Sequence, residues 1–231
     1  MAARQRRAGV AGPGGAPGRP VLVTGFEPFG GEDVNPSWEI CKALPAAIGR
    51  SSIERLLVPT AFGRAVETVS GAIRRLDPAL VILLGQAGGR SAVCVERVAI
   101  NVDDARIADN AGAQPIDEAI APSGPAAYFA TVPVKAMVAA MREAGVPAEV
   151  SNTAGTFVCN HLLYGVLHFL ATGARRSRAG FIHVPWLDRQ ALARPGEPSM
   201  ALATMARGVE AAIAAALKTP IDVKMAAGKL D

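Results

Sequence analysis

Ala79-Leu80-Val81-Ile82-Leu83-Leu84-Gly85 is the stretch on which the fold turns. Six consecutive apolar residues closed by a glycine read as a strand buried on both faces, as in a sheet covered by helices. Just upstream, Ala65 to Leu76 has the spacing of an amphipathic helix, and Ile53 to Val58 reads as a strand ending at Pro59, so the three form a βαβ unit. Further upstream, Val21-Leu22-Val23 reads as a buried strand feeding a loop at Thr24-Gly25. Asn35-Pro36-Ser37 is a turn and cap signal before a helix from about Trp38 to Leu44.

Downstream, Ala92 to Asp104 reads as strand-like, and the polar, turn-rich residues Ala105 to Gly124 read as an excursion covering one end of the sheet. A helix over Val134 to Ala144, capped by Gly145, leads to a strand at Ala148 to Ser151. A helix over Thr156 to Leu170, a strand over Gly180 to Val184 and an Ala-rich helix over Ser199 to Leu217 with a Ser cap complete the pattern. This alternation predicts a single α/β domain over residues 20–218, three-layered, with a largely parallel sheet. Residues 1–19 read as a disordered basic Gly/Pro-rich extension and 219–231 as a tail.

A chain of 231 residues that is 50% hydrophobic fits one core. Its net charge of +4 includes Arg4, Arg6 and Arg7 near the N-terminus. The cluster Arg175, Arg176 and Arg178 reads as a solvated basic turn, and with no aromatic residues interleaved, no nucleic-acid partner is indicated. Cys41, Cys94 and Cys159 are widely spaced, with no C-x-x-C pair for zinc or a redox disulfide, so a reducing, cytoplasmic setting is expected. Met1 to Pro20 lacks the apolar core of a signal peptide. No run approaches the ~18 apolar residues of a membrane span.

Cys159 follows the small, polar run Ser151 to Thr156 at the expected start of a helix. There the macrodipole and unpaired N–H groups favour thiolate and can hold an oxyanion. Free cysteine is also among the most buried residue types, so packing is the competing reading. His183 ends the apolar strand Phe181-Ile182-His183-Val184 before Pro185, which would deliver an imidazole to a loop edge as base for the thiol. A core histidine bonded to backbone is the alternative. His161 and His168 lie seven apart on one helix and read as packing or hydrogen-bonding residues. A zinc site from Cys159, His161 and His183 lacks a ligand spacing to match. For the group that orients the imidazole, Glu96 competes with Asp103, Asp104 and Asp109, and Glu96 could equally pair at the surface with Arg97 or Arg106.

Gly25-Phe26-Glu27-Pro28-Phe29-Gly30 has P-loop spacing, but Gly31 and Glu32 stand where Lys and Ser/Thr are required. Gly85-Gln86-Ala87-Gly88-Gly89-Arg90 lacks the glycine order of a dinucleotide site. Both loops suit close backbone approach to a small ligand, with Phe26 and Phe29 able to wall an apolar pocket or simply to pack in the core.

These segments, with Asn35-Pro36-Ser37-Trp38, Glu96-Arg97-Val98-Ala99-Ile100-Asn101, Gly124 to Tyr128 and Ser151 to His161, resemble in order the motifs of the pyroglutamyl-peptidase I (pyrrolidone-carboxylate peptidase) family. The resemblance implies a phosphorylase/hydrolase-like α/β/α sandwich, a Glu96, Cys159, His183 triad, no cofactor or metal, and a cytoplasmic homo-oligomer, dimer or tetramer. It places Phe26, Phe29, Thr60, Gln86 and Val158 near the lactam of peptides bearing an N-terminal pyroglutamate. A site bonding the lactam N–H and carbonyl would reject proline, because its buried polar groups would go unpaired. The sequence departs from the family at Cys94-Val95, where Thr-Pro is common, and at Asp188, where Pro is more usual. A nucleoside phosphorylase-like enzyme, independent of the thiol, and a catalytically silent lactam-binding module are the alternatives.

Overall fold

The computed structural model describes residues 18–173 and 176–228; the reading of 1–17 as an extension, of Arg175 and of the tail's last three residues lies outside them. In chain order the elements are β1 Val21–Phe26, α1 Pro36–Ala43, β2 Ala47–Ile48, β3 Ser51–Val58, α2 Arg64–Leu76, β4 Leu80–Gln86, β5 Val93–Glu96, β6 Val98–Ile100, β7 Ala127–Phe129, α3 Val134–Glu143, β8 Ala148–Ser151, α4 Val158–Thr172, β9 Arg178–Val184, α5 Asp188–Ala191 and α6 Leu202–Lys218.

Seven strands form one sheet in the order β2-β3-β1-β4-β9-β5-β8. The strand read from Ala79 to Leu84 is its centre, and every residue of β4 is buried. Alternate β4 residues serve opposite faces. Leu80, Ile82 and Leu84 pack with α1, α3 and α6, whereas Val81 and Leu83 pack with α2 and α4. The result is the expected three-layer sandwich. No helix among the described residues is long and apolar enough to cross a membrane.

The sheet is parallel through β3, β1, β4 and β9, then reverses, because β5 pairs antiparallel to β9. The stretch read as strand-like from Ala92 to Asp104 splits accordingly. β5 stays in the main sheet, while β6 leaves it to pair with β7 in a separate two-stranded sheet. The end of β6 and the residues just after it are tied to the first turn of α4 by Asn160, whose Oδ1 accepts from Ile100 N at 3.0 Å and whose Nδ2 donates to the carbonyls of Ile100 and Val102.

Three cap expectations are corrected. Helix α1 starts at Pro36, since Asn35 is its N-cap and accepts from Ser37 N at 3.1 Å, with proline at the first position, where its missing N–H costs nothing. Helix α6 starts at Leu202, because the Ser199 hydroxyl donates to Asp188 Oδ1 and Ser199 bridges to Trp186. Helix α4 starts at Val158 rather than Thr156, whose hydroxyl donates to Asp104 O.

The basic cluster is not a solvated turn throughout. Arg178 opens β9 and donates to the carbonyls of Thr219 and Ala216, and its burial lowers its pKa. Residues 219–228 then dock on the domain. Asp222 accepts from Lys135 N and Ala136 N at the start of α3, and Arg97 donates to Ala227 O at 2.6 Å.

Candidate active site

The reversal of the sheet builds the site. In the antiparallel pair, Glu96 lies opposite Phe181 and Cys94 opposite His183. Opposed residues share a face, and Glu96 and His183 are therefore diagonal neighbours facing α4. The Glu96 carboxylate, fully buried, meets His183 Nδ1 at 2.7 Å. A carboxylate can only accept, so Nδ1 carries the proton and Nε2 is left to act as an acceptor. The surface pairing of Glu96 with Arg97 or Arg106 is overturned: its cation is Arg90, at 2.8 Å on the same oxygen, Oε1.

Burial by itself would raise the Glu96 pKa, but the hydrogen bond and charge of His183, with help from Ser151 and Arg90, hold it below its ordinary value. The competing carboxylates serve elsewhere. Asp103 bonds His161 Nδ1 at 2.7 Å, and Asp109 accepts the backbone N–H groups of Phe62, Ala111 and Ala113. Asp104 does reach the cleft wall. His161 Nε2 accepts Gly63 N at 2.9 Å, so both its nitrogens are engaged and it is not free to ligate a metal with Cys159. His168 Nδ1 bonds the Tyr128 hydroxyl.

Cys159 is the second residue of α4, behind N-cap Phe157, as the helix-start reading requires. Its thiol lies over β4. A Cβ added to Gly85 would stand 3.0 Å from the sulfur and 2.6 Å from the Phe181 ring, and Gly85 is the β4 partner of His183. The expectation of a depressed thiol pKa is not met in this resting site. Burial, then the charge of Glu96, push it up to about 12, with Arg90 acting the other way.

Cys159, His183, Gln86, Phe29 and Arg90 border one cleft of about 940 Å³. Of the residues placed near the lactam, only Phe29 and Gln86 line it. Phe26 is buried, its ring centroid 6.5 Å from that of Phe181, and Val158 is in the core. Thr60 is buried with its hydroxyl donating to Glu27 O at 3.0 Å. Asn35 Nδ2 donates to the same carbonyl, also at 3.0 Å. Phe26, Thr60 and Val158 are therefore buried and do not border the cleft.

Trp186 and Arg194, to which the sequence assigns no role, also line the cleft, as does Arg106, read from the sequence only as a surface partner for Glu96. Trp186 had a signal, being one of two tryptophans and three residues past His183. A Cβ on Gly88 would stand 2.2 Å from its ring, and Arg194 stacks over it at 4.3 Å. Arg194 also pairs with Glu32. Gln190 Nε2 bonds Gln86 Oε1 at 3.0 Å, which orients the one amide side chain in this wall.

Residues 19–219 match the family model described as pyroglutamyl peptidase. The chain is 57% identical over 214 residues to a pyrrolidone-carboxylate peptidase of Cupriavidus pinatubonensis, covering 92% of this chain and 99% of that one. It is 57% identical over 210 residues to that of Klebsiella pneumoniae, covering 90% and 97%. The crystal structure of Bacillus amyloliquefaciens pyroglutamyl peptidase I superposes with a TM-score of 0.86 at 43% identity, covering 89% of this chain and all of that one. The pyrrolidone carboxyl peptidase of Thermococcus litoralis gives 0.85 at 38%, covering 90% and 99%. The chain belongs to the pyroglutamyl peptidase family.

Proposed function

We infer that the chain is a cysteine exopeptidase that removes an N-terminal pyroglutamyl residue from peptides, with Cys159 as nucleophile, His183 as base and Glu96 holding the imidazole. The observation that carries this reading is the seating of the Cys159 thiol over Gly85, the strand partner of a His183 whose Nδ1 is fixed by Glu96 at 2.7 Å.

His183 Nε2 accepts the thiol proton as the sulfur attacks the pyroglutamyl carbonyl carbon. A C–S bond forms, and the carbonyl electrons move to oxygen. The first-turn N–H groups of α4, which a helix leaves without intrahelical acceptors, stabilise that oxyanion. As the C–N bond breaks, the imidazolium gives its proton to the departing amine and a thioester remains. Water then attacks with His183 as base, and the thiolate leaves. The Glu96 charge stabilises the imidazolium in both halves. Apart from the attacking water, each group named in these steps belongs to this chain.

The substrate end is a neutral ring without an α-amine. Phe29 supplies an apolar wall and Gln86 an amide able to bond the lactam, while Phe26, Thr60 and Val158 stay buried. Cys41, Cys94 and Cys159 are free thiols, which suits a reducing cytoplasm. We further place the enzyme there as a homo-oligomer.

The test is release of a fluorescent amine from its pyroglutamyl amide beside the prolyl amide. Selective release, stopped by iodoacetamide and indifferent to EDTA, is expected. Phosphate-dependent cleavage of a nucleoside, or no release by the folded protein, would replace this reading with a phosphorylase or a silent binding module.

A further inference from the structure

The Glu96 carboxylate accepts two donors on one oxygen, and the mechanism above uses only one of them. Arg90 Nη1 sits 2.8 Å from Oε1, its Nη2 is 3.3 Å from Thr153 O, and the side chain borders the cleft. Thr153 belongs to the segment leading into α4, so Arg90 spans from the carboxylate of β5 to the strand-to-helix connection that delivers Cys159. An arginine fork suits this, holding a planar acceptor and a carbonyl at once.

We propose that Arg90 is a positioning residue for the reaction: it fixes the Glu96 carboxylate beneath His183 and offsets its charge, so that thiol and imidazole exchange their proton near neutral pH. The proposal rests on the reading of Cys159 and His183 as nucleophile and base. Glu96 alone would stabilise the imidazolium and oppose the thiolate; the guanidinium opposes both effects. Burial of Glu96 leaves water little share in the screening. Other charged or titratable groups facing the pair are Cys94 on β5, itself met by Glu149 of β8, and Asp104, Arg106, Arg194 and Glu197 around the cleft. Arg90 is the one whose salt bridge is made to the Glu96 oxygen that receives His183.

The sign follows. Without Arg90 the unshared Glu96 charge opposes the Cys159 thiolate more strongly, so the pH profile of kcat/KM moves to higher pH. Arg90→Met is expected to displace the profile by about one pH unit. Arg90→Lys, which keeps the charge, should leave it close to wild type while lowering its height. If the Met variant does not fold, Arg90→Gln replaces it, being neutral and able to bond the carboxylate.

Alkylation of Cys159 by iodoacetamide as a function of pH reads the same displacement without turnover. A variant of unchanged melting temperature whose pH profile and alkylation curve both coincide with wild type would overturn the proposal. If the wild-type protein alkylates but cleaves no pyroglutamyl amide, the peptidase reading fails while the alkylation curves still decide the role of Arg90.

Discussion

A Cβ added to Gly85 would stand 3.0 Å from the Cys159 sulfur, because β4 and the first turn of α4 meet at the one β4 residue that pairs with His183. The glycine is there for proximity. Gly85→Ala would press on the buried Phe181 ring at 2.6 Å and displace the thiol. We expect a stability loss of about 1–3 kcal/mol by denaturant unfolding. The loss in kcat/KM should be about tenfold or more, since small misplacements of reacting groups are costly. Wild-type kinetics in the alanine variant would show that the thiol does not need this space.

Glu96→Gln keeps shape and removes charge. The amide can present either its oxygen or its NH₂ to Nδ1, so the tautomer is no longer fixed and the imidazolium loses its counter-ion. A fall in kcat of about a hundredfold or more is expected, with KM little changed. Loss of KM alone would assign Glu96 to substrate binding instead.

The buried thiols make alkaline stability a second readout. Burial raises the pKa of Cys94 from 9.0 to about 11 and drives Cys41 well above its ordinary range. A thiol with a raised native pKa contributes stability that is complete below the unfolded value and is lost as pH climbs toward the native one, because the unfolded chain binds fewer protons there. For Cys94 the window is pH 9.0 to about 11. Between about pH 9 and 10 the wild type should lose about 1 kcal/mol more than Cys94→Ser. Parallel curves for the two proteins would show that Cys94 does not titrate in this way.

How much of this was legible in the sequence depends on the range of the forces involved. β4 was readable because an uninterrupted apolar run can satisfy itself only between two helical layers, and the helix-start position of Cys159 was readable from the small residues before it. The reversal of β5 was not, since pairing direction depends on which distant strand offers an edge, and nothing in Val93 to Glu96 encodes it. For the same reason the pattern left Glu96 a candidate for a surface ion pair, although it is the most buried charge in the site. The direction of the thiol's shift is not legible in the sequence because the helix terminus is a local feature, whereas burial and the Glu96 charge are set by segments distant in the chain. Likewise Thr60 carried a contact role by resemblance, and its hydroxyl turned out to face backbone.

That geometry separates two explanations of how Thr60 serves the substrate. Its hydroxyl and the Asn35 amide donate to the same Glu27 carbonyl, each at 3.0 Å, and Phe29 follows two residues later. If Thr60 acts by pinning this loop, Thr60→Val and Asn35→Ala should have one kinetic signature: a KM increase of a few fold to tenfold with kcat nearly constant, as the wall loosens but the reacting groups stay put. Each should also cost about 1 kcal/mol in stability, Asn35 through its N-cap as well. The double variant should then be less than additive in KM, because both bonds hold one carbonyl. If instead Thr60 bonds the lactam directly, Thr60→Val alone would erode discrimination between the pyroglutamyl and prolyl amides, and Asn35→Ala would leave that ratio untouched.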